Sequence, residues 1–372
     1  MNHHFKNVFA VVLAGGSGTR FWPRSRQTYP KQLCKINHPQ MTMIEETLER
    51  IESIIPFERR MIVTHESQKQ ATQKIVKHLC PQLIAEPLSR NTAAALALAA
   101  LQIAYKFPKE LEEAVMVSLH ADHVIQNHLG FISTLERAVA TARKGKLTLI
   151  GIPPSRPETG YGYIEKGESL YAADIKDAYS VQSFKEKPDL QTAQKYCADK
   201  RFLWNSGMFV WKVTTILQEF RQHLPEMLSI LEPLAKQLSQ AGEDFTDIHD
   251  NVLRPYYEKV PAIAIDNAIL EKSQNIAVVT AEMDWFDVGG WPALEEVKPT
   301  DPQGNFTEGD VMLISSENCT VASDSYFVAT LGLKDMIVVV DKGCVLVCPK
   351  DRGQDVKLIV DELKKRGRVE LT

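Results

Sequence analysis

The sequence lacks the features that mark membrane-spanning, secreted and nucleic-acid-binding proteins. None of its six cysteines forms a CxxC pair, which argues against a metal cluster or a disulfide framework and favours reduced thiols. No apolar run approaches the roughly 20 residues of a membrane span, and residues 1–7 lack the apolar region of a signal peptide. Charges of both signs are interspersed and sum to −4. We therefore expect a cytoplasmic protein that binds neither nucleic acid nor a membrane.

The first 150 residues alternate between strand-like and helix-like segments. Continuous apolar runs of the kind found in strands buried on both faces alternate with amphipathic or Ala-rich stretches typical of helices. The strand-like runs are 7–13, 60–64, 114–119 and 146–150, and the helix-like stretches are 43–54, 91–106 and 130–143. This alternation predicts an α/β fold, a Rossmann-like mixed sheet covered by helices.

The rest of the chain divides near residue 300. Residues 160–187 suggest antiparallel strands beside the main sheet, and residues 213–259 are expected to be helical, with breaks at Pro225 and Pro233. A cluster of Pro, Asp and Gly follows at 298–306, and short strand-like segments come after it. We predict a catalytic domain over 1–298 and a small β-rich domain over 299–372, resembling a β-solenoid and closed by a helix near 353–366.

A glycine-rich loop, residues 14–20 (AGGSGTR), follows the first apolar run. At the carboxyl end of a strand, glycines let backbone N–H groups approach phosphate oxygens closely. Two familiar phosphate-binding patterns fail, because Phe21 stands where GxGxxG needs its third glycine and Arg20 stands where the P-loop needs glycine. Arg20 and Lys31 nevertheless supply two cations near the loop, which favours a polyanion as ligand over a generic glycine turn.

A second candidate site is the run His120-Ala121-Asp122-His123. It invites comparison with zinc hydrolases of the HxHxDH kind. That pattern needs another histidine at position 118, where the chain has Ser118. Two histidines flanking one aspartate are weak evidence for a zinc site.

Seven motifs in order carry a resemblance to nucleotide-sugar pyrophosphorylases and, in the YPKQ form, to mannose-1-phosphate guanylyltransferases. They are AVVLAGGSGTRFWPRSRQTYPKQL at 10–33, AEPLSRNTAAAL at 85–96, ADHVI at 121–125, GIPPSRPETGYGYIE at 151–165, FKEKP at 184–188, WNSGMFVW at 204–211 and WFDVGGW at 285–291. The resemblance covers roughly residues 7–370. It implies transfer of GMP from GTP to mannose 1-phosphate with release of pyrophosphate, and a requirement for Mg²⁺.

The resemblance also implies roles for individual residues. Arg20, Lys31, Asp122 and Asp287 would be catalytic, with both aspartates holding the metal. The nucleotide would contact Leu13, Ala14, Gly15, Gly16, Gly18, Thr19, Glu86, Asn91 and Thr92. The sugar phosphate would contact Gly162, Glu186, Lys187 and Asn205. Asn91 is also expected to cap the helix 91–106, and Lys187 could equally be a solvated surface lysine.

The chain departs from the family pattern at three positions. His120 stands where the family usually has proline, and Ala264 and Asn267 replace the serine and tyrosine usual around Asp266. Three alternatives therefore stay open: the substrate is another sugar 1-phosphate, the nucleotide is another one, or the protein is a non-catalytic homologue that senses GDP-mannose.

Bifunctional relatives carry an additional isomerase domain with a histidine metal cluster. The residues after 300 lack such a cluster, so we expect the short form with one activity, as a homodimer.

Overall fold

A computed structural model of the chain describes residues 3–16, 18–171 and 173–372. Its strands, in chain order, are β1 (Val8–Ala14), β2 (Arg60–His65), β3 (Gln82–Glu86), β4 (Val115–His120), β5 (His123–Ile125), β6 (Leu147–Ile152), β7 (Tyr163–Ser169), β8 (Ala178–Lys185), β9 (Phe202–Lys212), β10 (Ile276–Thr280), β11 (Trp285–Asp287), β12 (Phe306–Glu308), β13 (Val311–Ile314), β14 (Thr320–Ser323), β15 (Val328–Leu331), β16 (Met336–Asp341) and β17 (Cys344–Pro349). The α-helices are α1 (Met43–Arg50), α2 (Lys69–Val76), α3 (Asn91–Lys106), α4 (His128–Arg143), α5 (Leu190–Ala198), α6 (Val213–His223), α7 (Pro225–Ala241), α8 (Asp250–Tyr257) and α9 (Val356–Lys365).

The larger part of the molecule is built on one mixed sheet of nine strands. Their order is β3-β2-β1-β4-β9-β6-β10-β8-β7. The four strands β3, β2, β1 and β4 run parallel, and β9 joins β4 to β6 in the antiparallel sense. A separate ribbon pairs β11 with β5. The α/β mixed sheet predicted from the sequence is confirmed.

Strand β1 explains why the continuous apolar run marks a central strand. Phe9, Val11 and Leu13 pack into one hydrophobic core, whereas Val8, Val12 and the alanines of the strand pack into another. Successive side chains of a strand point to opposite faces, and helices cover both faces here. Both sets must therefore be apolar, and no polar alternation survives in the sequence.

Helix α3 is hydrophobic nearly all round, and twelve of its sixteen residues are buried. Such a helix lies in the interior rather than on the surface. Its first residue, Asn91, has a left-handed φ of 65°, and its side chain accepts a hydrogen bond from the amide of Thr92. The predicted helix bounds are correct, and they place the N-terminus of α3 beside the carboxyl ends of β2 and β3. The expectation that Asn91 caps the helix is wrong, because Arg90 occupies the capping position and no side chain makes a capping hydrogen bond.

The break predicted at Pro233 is wrong. The chain does break at Pro225, which is the first residue of α7, but α7 continues through Pro233 to Ala241. An interior proline removes a backbone hydrogen bond and crowds the preceding turn. Leu231 and Leu234, on either side of it, are buried in the main core, and this packing offsets the loss. No helix in the described ranges is long and apolar enough to cross a bilayer.

The residues after 305 form a small β-rich unit with the solenoid character expected from the sequence. Parallel pairing repeats from one coil to the next, as Phe306 pairs with Thr320 and Thr320 with Ile337. On another face, β13 pairs with β15 in the same sense. Strand β17 returns antiparallel to β16 and leads through a 3-10 turn into α9.

Buried charge joins this unit to the segment that follows the glycine loop. The Nε of Arg24 lies 2.8 Å from Asp341 Oδ2, and its Nη2 lies 2.7 Å from Glu308 Oε1. Its guanidinium also stacks 5.0 Å from the ring centre of Trp291. A guanidinium that is buried and paired in this way fixes the orientation of its partners. The segment around Arg24 therefore contacts both the β-rich unit, through Asp341 and Glu308, and the larger part of the molecule, through Trp291.

Candidate active site

A cavity of about 310 Å³ opens at the carboxyl ends of the parallel strands. In open α/β sheets this edge is where ligands bind. Its walls come from the ends of β1, β2, β3 and β4 and from the start of α3. The lining residues are Leu13, Ala14, Gly15, Gly16, Gln32, Val63, His65, Glu86, Ser89, Arg90, Asn91, Thr92, Ala95, His120, Ala121 and Asp122. Eight of the residues predicted from the sequence are among them.

The glycine loop is held in shape by Gln32. Its amide donates to the carbonyl oxygens of Ala14 at 2.7 Å and Gly16 at 3.0 Å. Gly18 adopts a left-handed φ of 57°, and a Cβ there would lie 2.3 Å from the Cβ of Lys31. Ser17 lies outside the described residues. Sequence reasoning assigned Gln32 no role, although the YPKQ motif contained it.

Lys31 lies between the two aspartates predicted to hold the metal. Its side chain is 4% exposed, and its Nζ is 3.2 Å from Asp122 Oδ2 and 3.7 Å from Asp287 Oδ1. Burial alone would raise the pKa of Asp122, but the Lys31 ammonium and two nearby histidines hold it well below its ordinary value. The pKa of Asp287 is raised, chiefly by burial, and the charge of Asp122 adds to this effect although Lys31 opposes it. The two carboxylates offer oxygen ligands on which a further cation could bind beside the ammonium.

Asp287 reaches this place through a short ribbon. Strand β11 pairs antiparallel with β5, with Asp287 opposite His123. The charge of Arg20 also acts on Asp287, and a Cβ on Gly290 would lie 3.4 Å from the Cβ of Arg20. Thr19 and Arg20 belong to a single 3-10 turn directly after Gly18. Arg20, Lys31, Asp122 and Asp287 therefore lie in one neighbourhood although they are far apart in the sequence.

Two histidines flank Asp122, and their hydrogen bonds fix which ring nitrogen carries the proton. His120 Nε2 lies 3.1 Å from the carbonyl oxygen of Gly207. A carbonyl can only accept, so Nε2 is protonated, and in the neutral ring the lone pair is on Nδ1. The indole N–H of Trp285 donates to His123 Nδ1 at 3.1 Å, which places the proton of neutral His123 on Nε2. Burial, together with the charge of His120, lowers the pKa of His123 well below its ordinary value.

Glu86 closes the far side of the cavity, at the end of β3. It is buried, and the hydroxyl of Tyr257 donates a short hydrogen bond to its Oε1. Burial raises the pKa of Glu86 to about 7, although the Tyr257 hydrogen bond opposes the shift. Thr92 Oγ1 accepts from the amide of Ile265 at 2.9 Å, so the segment after α8 is tied to the start of α3. No local pattern in the sequence pointed to Tyr257.

The residues predicted to contact the sugar phosphate form a second cluster. A Cβ on Gly162 would lie 2.6 Å from Glu186 Oε2 and 3.5 Å from the Cβ of Asn205. Asn205 Nδ2 donates to Asp266 Oδ1 at 2.9 Å, and burial followed by the charge of Glu186 raises the pKa of Asp266. Lys187 is exposed and pairs with its neighbour Glu186 at 2.8 Å. The sequence marked Asp266 only as part of an altered pattern, and the structure places it in this cluster.

A short chain of hydrogen bonds connects the two clusters. The amide of Gly207 donates to Asn205 Oδ1 at 3.1 Å, and its carbonyl oxygen accepts from His120. A polyanion in the cavity and a hydroxylated ligand near Asn205 would thus meet beside Asp122. Cations, a backbone cradle and two carboxylates at that meeting point can neutralise and align two phosphates, which is the main requirement of phosphoryl transfer.

Comparison with known protein families agrees with this arrangement. Residues 9–304 match the family model described as nucleotidyl transferase, whose members commonly use a divalent metal ion. Residues 309–363 match the MannoseP isomerase/GMP-like beta-helix domain. The second match confirms the solenoid character predicted for the end of the chain.

Individual relatives narrow the family further. A mannose-1-phosphate guanylyltransferase from Klebsiella pneumoniae is 37% identical over 365 residues, covering 98% of this chain and 75% of its own length. The alginate biosynthesis protein AlgA of Pseudomonas aeruginosa is 37% identical over 374 residues, covering 98% and 73%. A crystal structure from Thermus thermophilus, described as a mannose-1-phosphate geranyltransferase, is 32% identical. It has a TM-score of 0.82 and covers 96% of this chain and all of that one. The chain therefore belongs to the nucleotidyl transferase family and, within it, to the mannose-1-phosphate guanylyltransferases.

Proposed function

We propose that the protein transfers GMP from GTP to α-D-mannose 1-phosphate, forming GDP-mannose and pyrophosphate with the help of Mg²⁺. The relatives named for this activity align over nearly the whole chain. The observation that carries the proposal is the position of Lys31 between Asp122 and Asp287. Asp122 also lines the cavity proposed for the nucleotide.

The nucleotide would occupy the cavity at the strand ends. Backbone N–H groups of residues 13–16, 18 and 19 would face its phosphates, and Gln32 keeps that loop in place by donating to Ala14 and Gly16. Guanine carries two adjacent N–H donors, and an ionised Glu86 could accept both. Asn91 and Thr92, at the start of α3, would contact the base and ribose.

Mannose 1-phosphate would lie against the second cluster. Glu186 and Asn205 offer an acceptor and an amide for sugar hydroxyls, and Gly162 leaves room for the ring. Lys187 would contact the phosphate after leaving Glu186. Asp266 would keep Asn205 oriented through the 2.9 Å hydrogen bond.

The reaction needs little acid–base chemistry from the protein. An oxygen of the sugar phosphate, already ionised at neutral pH, attacks the α-phosphorus of GTP. The bond from that phosphorus to the bridging oxygen breaks, and pyrophosphate leaves with the electron pair. Arg20 and Lys31 would stabilise the charge that accumulates on the phosphates. Asp122 and Asp287 fit a hard divalent cation, because both offer carboxylate oxygens. They would hold the Mg²⁺, which supplies further charge neutralisation when bound.

A substrate panel tests the proposal directly. Pyrophosphate release is measured for GTP, ATP, UTP, CTP and dTTP, each with mannose, glucose, galactose and fucose 1-phosphates and MgCl₂. We expect the GTP and mannose 1-phosphate pair to give the highest kcat/KM. A higher value for another pair would move the assignment to that substrate, and no release with any pair would leave a binding protein without catalysis.

The raised pKa of Glu86 predicts a pH dependence of GTP binding. If the ionised carboxylate accepts from guanine, protonation below about pH 7 removes that acceptor. The KM for GTP should therefore rise about tenfold as the pH falls from about 8 to about 6, whereas kcat changes less. Initial rates against GTP concentration across this range provide the measurement.

Two variants control this prediction. Glu86→Gln should give a high KM for GTP that no longer follows this pH dependence. Tyr257→Phe removes a hydrogen bond that favours the ionised form, so the midpoint of the change in KM should move to higher pH.

Because the pKa of Glu86 is raised by folding, the folded state holds the proton more tightly than the unfolded state. The free energy of unfolding therefore falls as the pH rises from the ordinary glutamate pKa to about pH 7. Glu86→Gln should raise the melting temperature at about pH 8 but not at about pH 4.5. A KM for GTP that does not change with pH in the wild type would contradict the assignment.

The close packing at Gly162 predicts a specific effect on the sugar phosphate. Gly162→Ala introduces a Cβ that overlaps Glu186 Oε2, so Glu186 must move from its place beside Asn205. We expect the KM for mannose 1-phosphate to rise about tenfold, with the KM for GTP unchanged. Gly160→Ala is the matched control, because its added Cβ meets only the end of the flexible Glu158 side chain at 3.3 Å. Equal effects of the two variants would remove Gly162 from the sugar site.

We further propose that residues 1–298 form the catalytic domain and 299–372 a separate domain. We also propose that the protein is a homodimer in the cytoplasm and that it has no nucleic-acid or membrane partners. The separate family matches before 304 and after 309 support the division. Met312, Ile314 and Leu331 expose apolar side chains on the β13–β15 face, which supports association, and the six free cysteines suit a reducing compartment. Light scattering after gel filtration of the wild type and of Leu331→Glu would test the dimer.

A further inference from the structure

His120 has no role in the proposed reaction, but it lies beside Asp122, which does. His120, Asp122 and His123 each offer a ligand atom, and these atoms lie within 4.8 Å of one another. Ligands on opposite sides of a metal at about 2.1 Å lie about 4.2 Å apart, so small side-chain movements would bring such atoms to one ion.

The hydrogen bonds distinguish the two histidines as ligands. His120 donates its Nε2 proton to the carbonyl oxygen of Gly207, so the neutral ring has its lone pair on Nδ1. Histidines that bind metals commonly donate their second ring N–H to a backbone carbonyl, and this bond fixes the ring and its tautomer. His123 has the opposite arrangement, because its Nδ1 accepts from Trp285 and its Nε2 carries the proton. Neutral His123 therefore has no free lone pair.

The surroundings hold the His120 ring beside Asp122. Gly207 has a φ of 71°, and a Cβ there would lie 2.7 Å from His120 Nε2. The ring also packs against His123, with ring centres 4.6 Å apart. An imidazole at the end of β4 is thus placed next to Asp122, and Asp287 lies opposite His123 in the ribbon formed by β5 and β11.

We propose that His120 is a third, nitrogen ligand to the divalent cation held by Asp122 and Asp287, and that it shifts the preference of the site towards transition-metal ions such as Mn²⁺ and Co²⁺. Imidazole suits transition metals, whereas Mg²⁺ prefers oxygen ligands and keeps several waters. A site made of two carboxylates and one imidazole therefore favours Mg²⁺ over transition-metal ions less strongly than a site made of two carboxylates alone. The inference rests on the metal site of the proposed function.

The test measures metal binding directly. Co²⁺ and Mg²⁺ are titrated calorimetrically into the full chain, first alone and then with GTP, for the wild type, His120→Gln and His123→Asn. Glutamine can still donate an amide N–H to Gly207 but offers no imidazole, and asparagine can still accept from Trp285. In parallel, electron spin echo modulation of bound Mn²⁺ reports whether an imidazole nitrogen is coordinated.

We expect nitrogen modulation in the wild type and in His123→Asn but not in His120→Gln. The Co²⁺ dissociation constant should increase about tenfold or more in His120→Gln, while that of Mg²⁺ changes by less than about twofold. Loss of the modulation in His123→Asn instead, no modulation in the wild type, or an unchanged Co²⁺ to Mg²⁺ ratio in His120→Gln would each overturn the proposal. Pyrophosphate release is scored separately. An active enzyme without nitrogen ligation refutes only the role of His120, and nitrogen ligation without activity on any substrate pair refutes only the proposed reaction.

Discussion

Asp122→Asn and Asp287→Asn are each expected to lower kcat by two or more orders of magnitude, or about 3 kcal/mol or more of transition-state stabilisation. Asparagine has nearly the same shape but no charge. Each substitution removes one of the two carboxylates beside Lys31 and so weakens the proposed metal site. Because the reaction places high negative charge in this region, loss of the cation affects the transition state more than the bound substrates.

Steady-state rates at saturating GTP, mannose 1-phosphate and Mg²⁺ provide the measurement. Asp284→Asn is the matched control, because Asp284 is exposed and lies three residues before Asp287. Its activity should stay close to that of the wild type. Circular dichroism spectra should show that all three variants are folded. Near-normal rates in Asp122→Asn or Asp287→Asn at saturating Mg²⁺ would refute the metal role of that residue.

Lys31→Met is expected to have the second largest effect, because it changes both activity and stability. The substitution keeps most of the apolar stem but leaves Asp122 and Asp287 facing each other without their shared cation. Removing one partner of a fully buried ion pair costs about 3–5 kcal/mol. Both carboxylates keep about a third of their side-chain exposure, and solvent reduces the cost, so we expect a loss of about 2 kcal/mol. Turnover should fall about a hundredfold through loss of a phosphate-stabilising cation.

The response to metal separates these two effects. Mg²⁺ should restore more stability to Lys31→Met than to the wild type, because the variant lacks the ammonium that neutralises the aspartates. It should not restore turnover. Thermal unfolding with and without MgCl₂, together with steady-state rates, measures both. Lys35→Met is the matched control, since Lys35 lies exposed in the same segment. Stability and Mg²⁺ response equal to those of the wild type would show that Lys31 does not neutralise this pair.

The elements that were correctly predicted are those whose signal is local. The apolar run that became β1 and the Ala-rich run that became α3 each carry their own pattern of burial, so a single sequence suffices. The short strands after residue 305 carried the same kind of signal. Pro233 misled the prediction because its local cost is real but is outweighed by buried leucines on the same helix, whose partners lie elsewhere in the chain.

In the candidate site, too, motifs predicted some residues, whereas contacts between distant parts of the chain could not be predicted. The glycine loop, Glu86, Asp122 and Asp287 could be proposed from motifs, and their roles stay predictions. Tyr257, which donates to Glu86, and Asp266, which holds Asn205, contact residues 171 and 61 positions away. Gln32 stood inside a recognised motif, yet its bonds to the loop could not be inferred from the motif alone.

By itself, the sequence determined the α/β class, the solenoid character of the end of the chain and the family, because hydrophobic periodicity and ordered motifs are properties of consecutive residues. Only the tertiary structure decided which charges meet. It placed Lys31 between two aspartates that lie far apart in the chain, and it fixed the free ring nitrogen of His120 through a carbonyl 87 residues away. Pairings of this kind depend on strand order and on the direction of each side chain. Both are set by packing across the whole sheet rather than by neighbours in the sequence.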